Sequence, residues 1–236
     1  MSAPRGESVR LSYSKLRTYR ECNRRYKFKY IDRLPEPESR EIRIGTLGHL
    51  VLADYYNSTE KSQELINVLC TRHAIAEELD EVLKDILKGY HEWASIEDKD
   101  MKILEIEKEY NSNNITGKID LLAERDGTQF IIDHKFKGQW APSILEQLLH
   151  DEQTKTYSMF TGVNKVCYNL IRTKEAKTRP KFERICVLVP QTEVNRLQSE
   201  YPMWEQKIEN DTMFLRNRGV QCVWCPFKEN CYNYET

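Results

Sequence analysis

A pair of short apolar segments joined by a tight turn constrains the fold of this 236-residue chain more than any other feature. Residues 115–123 and 129–136 are rich in Ile and Leu, and the Asp126-Gly127 pair between them is typical of a hairpin turn. The sequence therefore predicts a β-hairpin. Three further segments have the alternation or the short apolar runs of strands: residues 101–110, 166–171 and 185–189.

Helical patterns surround these strands. Apolar residues recur at helical spacing from residue 71 to 94, and other segments predicted to be helical are 12–30, 45–57, 143–160 and 191–215. Helices that flank about five strands predict an α/β or α+β fold with a mixed sheet. We expect residues 1–236 to form one domain with four parts: a basic N-terminal arm (1–35), a helical region (36–100), a core (101–190) and a C-terminal helix followed by clustered cysteines (191–236).

One face of the predicted hairpin is polar. Asp133 and Lys135 are two residues apart on one strand, so their side chains share a face, and Asp120 on the paired strand can reach it. Two carboxylates can hold Mg²⁺ or Mn²⁺, and a lysine beside them can orient a water or neutralise charge on phosphorus during phosphodiester hydrolysis. An isolated Asp-x-Lys tripeptide is more often a surface ion pair, so the motif alone leaves both interpretations open.

Two other groups can contribute to such a site. His49 follows Gly45-Thr-Leu-Gly48 near the start of a predicted helix, and histidine is the commonest nitrogen ligand of metals. Gln153 and Tyr157 are four residues apart, on one face of the helix after the hairpin. The amide can hold a phosphate or a water, and the phenol ring can stack on a base. A structural histidine and an ordinary helix surface are the alternative interpretations.

The seven cysteines divide into two kinds. Cys222, Cys225 and Cys231 form a C-x2-C-x5-C pattern, and three thiolates so close together suit zinc or an iron–sulfur cluster. Cys22 lies in a basic segment that is expected to be exposed, and we predict that it is the fourth ligand. The spacing alone leaves zinc, an iron–sulfur cluster and loose thiols open. The remaining cysteines lie in apolar segments and are expected to be ordinary buried thiols: Cys70, Cys167 and Cys186.

The net charge of −1 does not predict a nucleic-acid partner, but the charge distribution is uneven. From Met1 to Arg33, ten Lys or Arg residues outnumber three Asp or Glu residues, and five aromatic residues lie among them. This arm, with Arg24 and Arg25, can contact phosphates and stack bases, although a basic run is also typical of a solvated helix face. No apolar segment is long enough to span a membrane and no signal peptide is recognisable, so a cytoplasmic location is expected.

Taken in order, these motifs resemble the PD-(D/E)XK nuclease superfamily, and more narrowly its RecB-like branch with an iron–sulfur cluster, which includes AddB nuclease domains and the CRISPR-adaptation exonucleases. Each motif is weak alone, but six in the correct order are specific, and the resemblance covers residues 10–234. The ordered pattern is Cys22, G-x-x-x-H ending at His49, G-x-x-D ending at Asp120, D-x-K at 133–135, Q-x-x-x-Y at 153–157, and the C-x2-C-x5-C tail.

The resemblance implies a restriction-endonuclease-like core and a role for each motif residue. His49, Asp120 and Asp133 would bind the catalytic Mg²⁺ or Mn²⁺. The backbone carbonyl of His134 would assist, and Lys135 would be the catalytic lysine. Gln153 and Tyr157 would support the active site and the DNA. A structural [4Fe-4S] cluster would join the N- and C-terminal segments, and its ligands would be Cys22, Cys222, Cys225 and Cys231.

The activity implied is that of a metal-dependent DNA nuclease, an exonuclease acting on single-stranded ends in DNA processing, recombination or CRISPR adaptation. No nucleotide-binding P-loop motif is present, so a helicase, recombinase or CRISPR-adaptation subunit would be a separate partner. Asp133 stands where many members of the family have Glu, which can change the choice of metal. Two alternatives remain: a catalytically silent module of the same fold that binds DNA or a partner, and a structural protein that binds zinc.

Overall fold

The structure is a computed structural model that describes residues 10–73, 77–112, 114–140, 143–174 and 181–233. A π-helical turn, Lys27–Ile31, follows the second helix, and a 3-10 turn covers Val220–Trp224. The α-helices are α1 (Tyr13–Glu21), α2 (Asn23–Tyr26), α3 (Arg40–Asn57), α4 (Gln63–His73), α5 (Glu77–Glu97), α6 (Ile144–His150), α7 (Glu152–Thr161), α8 (Gln191–Asn210) and α9 (Lys228–Tyr232). The strands are β1 (Lys102–Ser112), β2 (Ile115–Arg125), β3 (Thr128–Lys137), β4 (Lys165–Arg172) and β5 (Phe182–Leu188).

The strands form one mixed sheet in the order β1-β2-β3-β4-β5, which confirms the predicted sheet flanked by helices. β2 and β3 are antiparallel, β3 and β4 are parallel, and β4 and β5 are antiparallel. Asp126 and Gly127 both have positive φ angles, 51° and 73°, as a two-residue hairpin turn of the type I′ class requires. The parallel pair needs a crossover, and α6 and α7 provide it between β3 and β4.

The sheet packs on both faces. Consecutive residues of β3 belong to different apolar clusters, because neighbouring side chains on a strand point to opposite faces. Ile132 packs with residues of α3, α4 and α5, whereas Ile131 packs with residues of α7 and β4. Asp133 and Lys135 are therefore on the α7 side of β3, and His134 and Phe136 are on the α3 side.

Contacts within the chain group it into two compact units. Unit 1 comprises Met1–Glu38, Asn111–Gly117 and Asn195–Thr236, and unit 2 comprises Ser39–Tyr110 and Lys118–Val194. Unit 2 contains most of the sheet together with helices α3 to α7. No helix in the described part of the chain is both long and apolar enough to cross a bilayer.

Several helices begin or end at other residues than the sequence predicts. The first ends at Glu21, because the backbone of Cys22 is extended, with φ at −165°. α3 begins at Arg40, since the Ser39 side chain accepts a hydrogen bond from the backbone N–H of Ile42 and caps it. The segment predicted as one helix over 143–160 is two helices, and Asp151 between them caps α7. The helix predicted over 191–215 ends at Asn210. Part of the helix predicted over 71–94 lies outside the described residues.

The expectation of buried thiols is wrong for two cysteines. Cys167 on β4 and Cys186 on β5 form a disulfide, because the antiparallel register places them directly opposite each other. Cys167 is buried, but Cys186 is exposed. Cys70, the third cysteine in an apolar segment, is a buried thiol as expected and is not part of the disulfide.

Candidate functional site

The candidate site lies in unit 2, where β2 and β3 separate. The backbone register of the hairpin runs from Arg125 opposite Thr128 to Leu121 opposite Ile132. The next residue on each strand is an aspartate, Asp120 on β2 and Asp133 on β3. The backbone N–H of His134 then donates a hydrogen bond of 2.7 Å to Oδ2 of Asp120, so a side chain occupies the position of a ladder partner. The end of the ladder therefore places two carboxylates together.

Asp133 is buried, with only 2% of its surface exposed. Its Oδ1 accepts hydrogen bonds from the Tyr157 hydroxyl at 2.6 Å and from Nε2 of Gln153 at 3.3 Å. Its Oδ2 lies 2.8 Å from Nζ of Lys135, but accepts no hydrogen bond from the described residues. Burial raises the pKa of Asp133; the Lys135 charge opposes this and the Asp120 charge adds to it, so the pKa lies above its usual value.

Lys135 is held by the helix that follows the hairpin. Its Nζ donates a hydrogen bond of 2.7 Å to Oε1 of Gln153, and Nε2 of Gln153 donates one of 2.6 Å to the Tyr157 hydroxyl. The Asp151 side chain caps α7 by accepting from the backbone N–H of Gln153. The first two turns of α7 therefore place Gln153 and Tyr157, four residues apart, against Asp133 and Lys135.

Asp120 is held by two histidines. Its Oδ2 lies 3.2 Å from Nδ1 of His49 on α3 and 3.3 Å from Nδ1 of His134 on β3. Burial would raise the pKa of Asp120, but hydrogen bonding from His134 and His49 outweighs it and holds the pKa well below its usual range. Burial would lower the pKa of His49, but the Asp120 carboxylate raises it overall. The two aspartates thus have pKa values displaced in opposite directions, which is typical of catalytic carboxylate pairs.

A third carboxylate belongs to this site and is missed by the sequence analysis. Glu107 on β1 brings a carboxylate oxygen into a group with His49 and Asp120, in which all ligand atoms lie within 4.8 Å of one another. Glu107 also forms an ion pair with Lys118. Its φ angle of 49° is left-handed, which is rare for a residue other than glycine within a strand. The alternation of β1 puts other glutamates on the same face, so the sequence has no signal that selects Glu107.

These residues fit a divalent cation. Carboxylate oxygens are the donors that Mg²⁺ and Mn²⁺ prefer, and an imidazole nitrogen suits a transition metal better than Mg²⁺. The buried Oδ2 of Asp133 has an ion pair with Lys135 but no hydrogen bond from the described residues, so it keeps a lone pair for a further partner. His49, Asp120 and Glu107 bring ligand atoms within 4.8 Å of one another, while Asp133 lies opposite Asp120 at the end of the ladder and its carboxylate is not part of that group. For His134 the structure shows contacts of the backbone N–H and of the ring, and the role predicted for its carbonyl stays a prediction.

The four motif cysteines lie together in unit 1. They line one cavity of about 250 Å³. Cys22 follows the end of α1, Cys222 lies in the 3-10 turn, Cys225 follows that turn, and Cys231 lies in α9. Burial raises the pKa of Cys225; the backbone N–H of Phe227 and the charge of Arg25 oppose this, but the pKa stays above its usual value. Basic residues also line this cavity: Arg24, Arg25, Arg216, Arg218 and Lys228. Four sulfur donors in a positively charged setting fit an iron–sulfur cluster, since thiolate ligands make such a group anionic.

Arg24 and Arg25, the two arginines predicted to support DNA binding, differ in burial. Arg24 is buried, and its Nε donates a hydrogen bond of 2.8 Å to the backbone carbonyl of Phe214. Its guanidinium thus holds the segment that leads to the cysteines, and the predicted contact of Arg24 with DNA stays a prediction. Arg25 is partly exposed and forms an ion pair of 3.3 Å with Glu21.

Comparison with known proteins gives one family and a set of distant structural likenesses. The family model of the PD-(D/E)XK nuclease superfamily matches residues 10–232. An alkaline exonuclease from Laribacter hongkongensis is similar, with 10% identity, a TM-score of 0.41 and coverage of 86% of this chain and 89% of that one. A phage-related exonuclease from Haemophilus somnus is similar with 12% identity, a TM-score of 0.40 and coverage of 86% and 94%. No curated protein sequence matches the chain.

Proposed function

The chain belongs to the PD-(D/E)XK nuclease superfamily, and we propose that it is a metal-dependent DNA nuclease that hydrolyses phosphodiester bonds. One observation carries this proposal. A buried aspartate, Asp133, has a carboxylate oxygen without a hydrogen bond, and it lies beside Lys135 and close to a second carboxylate, Asp120. Burial of this carboxylate costs free energy that its pairing with Lys135 and its hydrogen bonds offset only in part, and a bound cation would offset more of it.

Each residue then has a defined task. Asp120, Asp133 and His49 would hold the divalent cation, and a carboxylate oxygen of Glu107 lies within 4.8 Å of the ligand atoms of His49 and Asp120. When bound, Mg²⁺ or Mn²⁺ supplies Lewis-acid polarisation of a phosphate oxygen.

The ammonium group of Lys135 lies 2.8 Å from Oδ2 of Asp133, and in that position it neutralises charge that develops on the phosphate. Gln153 and Tyr157 hold the side chains of Lys135 and Asp133 in position through hydrogen bonds of 2.6 to 3.3 Å.

We further propose exonuclease action on single-stranded ends. The support is the basic, aromatic N-terminal arm, since stacking of bases on aromatic rings and contact of phosphates with Lys and Arg suit single strands. Three of the five aromatic residues of the arm are buried: Tyr19, Tyr26 and Phe28. Tyr30 is only half-buried, and Nζ of Lys15 and of Lys29 each lie 5.8 Å from its ring. A protein partner is not required for the hydrolysis itself.

A decisive experiment compares two aspartates of the same hairpin. Purified protein is incubated with end-labelled single- and double-stranded DNA and Mg²⁺ or Mn²⁺, and the product lengths are resolved. Asp133→Asn should abolish cleavage, while Asp126→Asn, an exposed turn residue whose positive φ suits Asn, should cleave as the parent does. Mononucleotide products would support an exonuclease. Cleavage by Asp133→Asn at the parent rate would overturn the proposal.

We also propose that Cys22, Cys222, Cys225 and Cys231 hold a [4Fe-4S] cluster, which would place the chain in the iron–sulfur branch of the superfamily. The support is the shared cavity and its basic lining. Anaerobically purified protein should absorb visible light and contain about four irons per chain, the content of such a cluster. Cys22→Ser should lose both signals, while Cys70→Ser, which alters a buried thiol elsewhere, should keep them. Stoichiometric zinc without iron would refute the cluster.

A further inference from the structure

A chain of buried polar side chains runs from the candidate site into the core of unit 2. Nε2 of the His134 ring lies 3.0 Å from the hydroxyl oxygen of Tyr90 on α5. The Tyr90 hydroxyl is 2.7 Å from that of Tyr56 on α3, and the Tyr56 hydroxyl donates a hydrogen bond of 2.6 Å to Asp98. Tyr56, Tyr90 and His134 each expose 5% of their surface or less. Buried polar groups in an apolar core are costly unless each finds a partner, and here each does.

Two further residues, Arg184 and Asn169, complete this hydrogen-bond network on the side away from the candidate site. Arg184 on β5 donates one hydrogen bond of 2.7 Å to Oδ1 of Asp98 and another of 2.7 Å to Oδ1 of Asn169. The second bond determines which way the Asn169 amide faces, because a guanidinium can only donate. The amide nitrogen of Asn169 therefore faces Tyr90 and donates a hydrogen bond of 2.9 Å to its hydroxyl.

The direction of each hydrogen bond follows from proton counting. The single hydroxyl proton of Tyr56 goes to Asp98, so the contact between the two phenols must use the proton of Tyr90. The Tyr90 oxygen can then only accept, which it does from Asn169 and from His134. Nε2 of His134 is therefore a donor, and the ring has a fixed orientation. Its other nitrogen, Nδ1, is held 3.3 Å from Oδ2 of Asp120.

We propose that Tyr90 is a positioning residue that anchors His134, and that the backbone N–H of His134 in turn holds the Asp120 carboxylate in the conformation that binds the divalent cation. This inference rests on the proposed metal-binding function of Asp120. Asp120 Oδ2 is enclosed by the backbone N–H of His134, the ring of His134 and the ring of His49. Loss of the Tyr90 hydroxyl frees His134 to move, and with it the backbone N–H that donates to Asp120 Oδ2. The loss of such outer partners typically weakens metal binding about 10- to 100-fold.

The test uses two phenols that differ in what they contact. Tyr90→Phe removes the hydroxyl that fixes His134. Tyr55→Phe, the matched control, removes a buried hydroxyl on α3 that instead lies 2.8 Å from Nδ1 of His91. Mn²⁺ binding is measured on DNA-free protein by electron paramagnetic resonance of unbound Mn²⁺, and urea unfolding is measured in parallel. Tyr90→Phe should bind Mn²⁺ about tenfold more weakly, whereas Tyr55→Phe should lose comparable stability and bind Mn²⁺ as the parent does.

Two further variants keep the outcomes distinct. Asp120→Asn must weaken Mn²⁺ binding; if it does not, the proposed metal site is wrong, and this inference falls with it. If Asp120→Asn weakens binding but Tyr90→Phe and Tyr55→Phe both match the parent, only the positioning role is overturned. Asp98→Asn alters the hydrogen bonds that Asp98 accepts from Tyr56 and Arg184 and leaves the side chain of Tyr90 unchanged. It therefore tests the positioning role if Tyr90→Phe does not fold. It should weaken Mn²⁺ binding by about twofold or more, as coupling through such a chain does, and parent affinity would refute the role.

Discussion

Gly48→Ala has two opposed effects at the candidate site: it crowds the contact between α3 and β3, and it raises the helix propensity of α3. A Cβ atom at Gly48 would come within 2.8 Å of three ring atoms of Phe136, whereas non-bonded carbons prefer about 3.5 Å or more. Either the ring or α3 must therefore move by about 1 Å. His49, the next residue, packs edge-on against the same ring with centroids 5.6 Å apart, so both movements disturb it.

The magnitudes follow from this geometry. Overpacking costs about 1–3 kcal/mol, and replacement of Gly by Ala within a helix regains about 1 kcal/mol, so the free energy of unfolding should fall by about 0–2 kcal/mol. A displacement of about 1 Å at a catalytic group can cost about 100-fold in rate. The distance from His49 to Asp120 is only 3.2 Å, so activity should suffer more than stability.

Gly45→Ala, one turn earlier on α3, is the matched control. Its new Cβ would lie 3.9 Å from Cβ of Phe136, an ordinary contact, so this variant should gain up to about 1 kcal/mol and keep its activity. Urea unfolding and the Mn²⁺ dependence of DNA cleavage measure both effects. If Gly48→Ala gained stability and cleaved DNA as Gly45→Ala does, the close approach of α3 to β3 would be refuted.

Lys135→Met should lower the cleavage rate at saturating Mn²⁺ by about 10²–10⁴-fold while Mn²⁺ affinity changes little; a loss confined to metal affinity would contradict the assigned role. Arg25→Gln should reduce the salt dependence of DNA affinity by about one phosphate contact, and an unchanged slope in fluorescence anisotropy would exclude that contact. Asp211→Asn should cost about 1–3 kcal/mol at pH 7, since Asp211 accepts hydrogen bonds from Tyr19, Asn23 and two backbone N–H groups. Burial would raise the pKa of Asp211, but these bonds lower it overall, so its stabilisation is present above about pH 4 and is lost as pH falls through the lowered pKa. The difference from the parent should therefore narrow in acid, and a constant difference in unfolding free energy across pH would count against this account.

Local features of this chain are predictable because their causes are local. The Asp126-Gly127 turn and the apolar runs beside it determine the hairpin register, and strand alternation then places Asp133 with Lys135 on one face. Helical periodicity places Gln153 with Tyr157 in the same way, and the structure joins both pairs by hydrogen bonds.

Features that depend on distant residues are not predictable by these rules. Cys167 and Cys186 look like two apolar thiols until the register of β4 and β5 sets them opposite each other. Arg24 and Arg25 are identical in the sequence pattern, but only Arg24 finds a buried carbonyl, 190 residues further along the chain. Glu107 differs from its neighbouring glutamates by a left-handed backbone conformation, which tertiary contacts must impose.

The two units differ in when each can be completed during synthesis. Unit 2 ends at Val194, and it contains both aspartates, both histidines and the lysine of the candidate site. Unit 1 combines a first segment ending at Glu38, a short middle segment and a last segment beginning at Asn195. Because a ribosome releases the chain from its N-terminus and compact units fold as they emerge, the polar site can form early. Cys22, in contrast, must wait through about two hundred further residues of translation before Cys222 exists, so the cavity that the four cysteines line can be completed only after the polar site.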